Sequence, residues 1–139
     1  SMTVSRKDLD RGFEPDECYY LANASAVLRK DELDFTADPP PDLALEIENT
    51  RDLIDKLPVL AAFGVPEVWT YDGIALTVRV LQPDGTYAPA AVSPTFPALP
   101  PAEVVRHLRL GGAVDQGSVV RQFRARVRQH LTPPTGGTP

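Results

Sequence analysis

One stretch constrains the fold more than any other: Leu43 to Glu48, reading Leu-Ala-Leu-Glu-Ile-Glu, entered through Pro39, Pro40, Pro41 and Asp42. Apolar residues at every second position have the period of a β-strand, whose successive side chains point to opposite faces. Leu43, Leu45 and Ile47 then share one face, and Ala44, Glu46 and Glu48 share the other, with Asp42 at the strand's entrance. Carboxylates gathered on one strand face repel one another, and burying them without partners is costly. Two readings of that face stay open. It is either the solvated polar side of an edge strand, or a site where a divalent cation turns the repulsion into attraction.

The neighbouring segments read as alternating strands and helices. The run Glu17 to Leu21, rich in aromatics and preceded by the turn-prone Gly-Phe-Glu-Pro-Asp, predicts a strand. Asn23 to Leu33 is mixed and allows a short strand and turn. Leu53, Leu57, Leu60 and Ala61 recur at helical spacing, with Asp52 as cap and Phe63-Gly64 as stop. Pro58 lies inside that pattern and delays the expected regular helix to Asp55 or Lys56, because proline fits only a first turn. Val65 to Tyr71 and Ile74 to Leu81 predict strands joined at Asp72-Gly73, with a second hairpin at Asp84-Gly85 leading onto Thr86 to Ala88. Pro89 to Pro101 predicts an extended surface connection. Two helices follow, over Ala102 to Leu110 and along the apolar stripe Val119, Phe123, Val127 and Leu131.

With 139 residues, one domain is expected, spanning 11–131, after a flexible segment 1–10 and before a disordered Pro/Gly/Thr tail 132–139. Ser1 ahead of Met2 reads as a remnant of tag cleavage. There is neither a run long enough to span a bilayer nor a secretory signal pattern, so a cytoplasmic protein is expected. One cysteine and two histidines leave no Cys/His metal spacing, so any metal must be held by oxygen. The net charge of -5 argues against a general polyanion binder, although six arginines against the single acid Asp115 make the stretch 106–130 locally basic.

Magnesium suits the acidic face, since this hard ion binds through one or two carboxylates and takes a substrate phosphate as a further ligand. Lys56, eight residues after Glu48 and early in the next helix, can fold back over the strand's carboxyl end. A lysine there orients or deprotonates an attacking water and offsets charge on phosphorus oxygens. Taken singly, each residue has a plainer role: Asp16 as a turn residue, Lys56 as a solvated lysine, Trp69 and the tyrosines as packing, His107 and the late arginines as surface.

The ordered segments RGFEPDECYYL, DPPPDLALEIENTRDLIDK and FGVPEVW, followed by SPTFPALPPAEVVRHL, resemble the Uma (Uma-two) family of restriction endonucleases, from about Arg11 to Leu110. The resemblance implies an α/β fold of the restriction-endonuclease-like, PD-(D/E)XK type, with a mixed central β-sheet flanked by helices. It implies that Asp16 matches the aspartate of the first active-site strand and Glu46 the acid of the second. Glu48 stands where the wider superfamily keeps its lysine, and Lys56 matches the lysine displaced onto the next helix. Asp42 and Glu14 match further acids. The implied activity is hydrolysis of DNA with Mg2+ or Mn2+, the metal being held by Asp16, Asp42, Glu46 and Glu48. Only about ten residues precede the EPD segment, where the family has further elements of the sheet. An exposed sheet edge, and with it a homodimer, is therefore expected. The alternative is an inactive nuclease-fold module serving interaction or dimerisation.

Overall fold

A computed structural model describes residues 3–4, 15–21, 32–33, 39–47 and 50–131. The elements in chain order are β1 (Thr3–Val4), β2 (Glu17–Tyr19), β3 (Glu32–Leu33), β4 (Leu43–Ile47), α1 (Thr50–Ala62), β5 (Glu67–Tyr71), β6 (Leu76–Leu81), β7 (Tyr87–Ala90), α2 (Pro101–Leu110) and α3 (Gln116–Leu131). Five strands form a mixed sheet in the order β2-β4-β5-β6-β7, and β1 pairs separately with β3. Within the large sheet β4 and β5 are parallel, joined through α1 as a β-α-β unit, and the other neighbours are antiparallel. The residues outside this description include Glu14, Glu48 and most of the mixed stretch 23–33.

The alternation in β4 divides two cores. Leu43 and Leu45 join Trp69, Tyr71, Leu76 and Val78 against Val104 and Leu108 of α2 and Val119, Phe123 and Val127 of α3. Ala44 joins Val68 and Val65 under Leu60 of α1 and the adjoining Phe63. Helices therefore cover both sheet faces, as expected for a mixed sheet in an α/β fold. Trp69 is fully buried and meets the Phe123 ring edge-on, with centroids 5.4 Å apart at 73°. Burial of each such side chain stabilises the fold by roughly 2–3 kcal/mol.

The solvated-edge reading of β4 does not hold. The strand lies between β2 and β5, and Ala44 and Glu46 are both fully buried. α1 also differs from expectation, running unbroken from Thr50 through Pro58. Pro58 is exposed, so the carbonyl that loses its intrahelical donor faces the solvent side of the helix. Gly64, at φ 78°, then turns the chain into β5 in a conformation that glycine adopts without steric cost.

The proline-rich connection runs over the surface as expected, with most of its residues exposed, but it also buries Ser93, Phe96 and Leu99. The cause is Glu67, at the start of β5 and only 2% exposed. Its Oε1 accepts the Thr95 N–H (3.0 Å) and hydroxyl (2.6 Å), and its Oε2 accepts the Trp69 Nε1–H (2.6 Å) and the Ser93 hydroxyl. Four neutral donors satisfy this buried carboxylate and fasten the connection to the sheet. No described helix is long and apolar enough to cross a membrane.

Candidate active site

The parallel pair β4 and β5 ends where α1 begins, and this end of the sheet gathers the candidate chemistry. Ligands of α/β sheets settle at the carboxyl ends of parallel strands, where the crossover helix starts. Glu46, one residue from the end of β4, turns its side chain to the α1 face and is fully buried. Lys56, in the second turn of α1, places its Nζ 3.2 Å from Glu46 Oε2, with 24% of the lysine side chain exposed. A buried carboxylate beside a partly exposed ammonium is charge-compensated while keeping one side open to solvent. The folding back of Lys56 expected from the sequence is thus present.

Asp16 comes from the neighbouring strand. β2 runs antiparallel to β4 with Glu17 opposite Leu45, which brings Asp16 alongside the last residues of β4. Its Oδ2 accepts the Ile47 N–H at 2.6 Å, and its Oδ1 accepts the side-chain amide of Gln116, the first residue of α3. Asp16 and Glu46 therefore occupy the same end of adjacent strands, anchored by different helices. Next in β2, Glu17 faces the other core, where the Arg124 guanidinium of α3 grips it through Nε (2.7 Å) and a terminal nitrogen (3.1 Å). That fork ties β2 to α3 and shows Arg124 to be more than a solvated helix residue.

Asp42 is not brought to the cluster. Its carboxylate accepts the Leu21 N–H at 2.6 Å and its own N–H reaches Tyr19 O at 2.9 Å, closing the β2-β4 ladder at the opposite end. Four residues of extended chain separate it from Glu46, roughly 13 Å. Glu48 lies outside the described residues. Among the described residues no three of His, Cys, Asp and Glu converge as a metal-holding group. The donor set that remains, Asp16 and Glu46, is the one or two carboxylates that magnesium requires when waters and a phosphate complete its shell.

Two residues that the sequence reading passed over stand on the same face. Thr70 of β5 is the register partner of Glu46, and Arg79 of β6 donates from Nε to Thr70 Oγ1 at 3.0 Å. The alternation Leu-Thr-Val-Arg-Val-Leu in β6, with Arg79 on the face opposite Leu76 and Val78, was the available signal. Cys18 shares the face as well, but burial and the nearby Glu17 push its thiol up to about 11, so it stays protonated and unreactive near neutral pH. A cavity of about 890 Å³ opens elsewhere, between β6 and α2. Its lining, including Ile74, Val78, Pro101 and Val105, holds no carboxylate.

A model of the Uma2 family, described as "Putative restriction endonuclease", matches residues 1–111 of the 139. No curated protein and no solved structure matches the chain. The match spans every strand and the first two helices; α3, which supplies Gln116 and Arg124, lies beyond it.

Proposed function

Since this chain belongs to the Uma2 family and has its restriction-endonuclease-like α/β fold, we propose that it is a magnesium-dependent endonuclease hydrolysing DNA phosphodiester bonds. The observation that carries the reading is the fully buried Glu46 facing Lys56 at the carboxyl end of β4, with Asp16 beside it. Asp16 and Glu46 would hold Mg2+ or Mn2+, with Glu48 the further acid that the family resemblance assigns. When bound, the ion supplies positive charge that stabilises the phosphate as negative charge builds on it. Lys56 donates hydrogen bonds to the attacking water or a phosphate oxygen, fixing the line of approach. Water oxygen bonds to phosphorus and gives up a proton to solvent, the bond to the leaving sugar oxygen breaks, and that oxygen takes up a proton from solvent. A dimer is the expected acting form; in support, β7 ends the sheet with no further strand among the described residues.

The other reading is a nuclease-fold module without activity, and the placement of Asp42 at the opposite end of the β2-β4 ladder from Glu46 speaks for it. Cleavage of plasmid DNA separates the two. The nuclease reading expects nicking or linearisation in Mg2+ or Mn2+, arrest by a chelator, and loss of cutting in Glu46→Ala. An intact plasmid under all conditions supports the inactive module, and equal cutting by Glu46→Ala places the activity outside this site.

A further inference from the structure

Glu46 and Lys56 answer each other's charge, but the same sheet face carries a cation that no acid among the described residues answers. Arg79 is half-buried, and among the described residues no carboxylate lies within ion-pair distance of it. Its hydrogen-bond partner is the neutral Thr70 hydroxyl. A half-buried guanidinium held by a neutral group keeps an unmet preference for an anion.

Placement says which anion. Thr70 is opposite Glu46 on the adjacent parallel strand, about 4.8 Å away in the hydrogen-bonding direction, and Arg79 leans over Thr70 from the next strand. Lys56, Glu46 and Thr70 thus lie in line across α1, β4 and β5, and Arg79, opposite Val68 in register, reaches Thr70 diagonally from β6 on the same face. The Thr70 contact uses Nε, so the rotation of the guanidinium is set while its two terminal nitrogens remain as a fork. Such a fork matches two oxygens of one phosphate, which the compact ammonium of lysine does not. The acidic balance of the chain makes a fixed local cation all the more necessary for holding a polyanion.

We propose that Arg79, oriented by Thr70, binds a backbone phosphate of the nucleic-acid strand presented to Glu46 and Lys56. The proposal rests on the nuclease reading and assigns it a substrate-binding residue. The test is fluorescence-anisotropy binding of a labelled DNA duplex, in Ca2+ and over a range of salt, by the wild type, Arg79→Met and Arg79→Lys, alongside plasmid cleavage in Mg2+. Arg79→Met is expected to weaken duplex binding about tenfold and to make the salt slope shallower by about one. Arg79→Lys keeps the slope but binds more weakly than wild type. Manganese affinity is unchanged in both, which a merely structural loss would not leave intact.

Wild-type affinity and slope in Arg79→Met overturn the proposal, and continued cutting by the wild type then leaves the nuclease reading standing. Duplex binding without cutting, with the slope change present, upholds the phosphate contact and removes the nuclease reading. A wild type that binds no duplex ends both. Should Arg79→Met fail to fold, Arg79→Lys decides, and undiminished affinity in that variant counts against the proposal.

Discussion

Glu67→Ala is expected to destabilise the protein by about 4 kcal/mol, lowering the urea midpoint by roughly 2 M. The substitution removes a carboxylate that takes four hydrogen bonds, from the Trp69 indole, the Ser93 hydroxyl, and the Thr95 backbone and hydroxyl. The Trp69 and Ser93 donors then lie in a dry interior with their partner gone, and the half-buried Thr95 loses its anchor. The Phe96 N–H, which bonds to Ser93 Oγ at 2.8 Å, loses its fixed acceptor, so Phe96 and Leu99 lose their seat against the sheet. Glu67→Gln keeps the shape and offers one oxygen, so about half of the loss is expected. Equal stability of Glu67→Ala and wild type in urea would show that the connection 91–100 is held by its apolar contacts alone.

Lys56→Ala is expected to lower the rate of DNA cleavage at saturating substrate by about 10² to 10³, with little change in KM. The lysine is 24% exposed and meets the buried Glu46 oxygen at 3.2 Å, so its ammonium lies at the border between the carboxylate and solvent, where an attacking water would stand. On the proposed reading, substrate affinity would come from phosphate contacts elsewhere, so the loss is expected on the rate rather than on binding. Steady-state kinetics on a labelled duplex reads the split. An unchanged rate would remove Lys56 from the chemistry; a raised KM at constant rate would make it a phosphate contact.

Much of this architecture was written in short-range pattern. The period-two run of β4 gave the strand, its two faces and the position of Glu46, because a buried strand flanked by two cores needs that alternation. The stripe Val119, Phe123 and Val127 gave the last helix in the same way. What escaped was everything decided by distant partners. Asp42 and Glu46 look equivalent in sequence, yet the antiparallel pairing of β2 puts Asp42 at the Leu21 end and Asp16 at the Ile47 end. Glu67 reads as an ordinary polar residue in VPEVWTY until four donors from 26 to 28 residues away and from its own strand close around it. The local proline rule starts α1 too late, because the exposed face that Pro58 occupies removes the need for the lost hydrogen bond. Thr70 and Arg79 form a pair only once β5 and β6 are in register.

The central claim is that Asp16 and Glu46 make one cation site at the carboxyl end of β4. Calorimetric titration of Mn2+ into the full chain tests it most directly. A saturable single-site isotherm is expected for the wild type, together with its disappearance in the Asp16→Asn, Glu46→Gln double variant when that variant melts like the parent. Absence of binding by the wild type at millimolar manganese, or an identical isotherm from the double variant, would contradict the account.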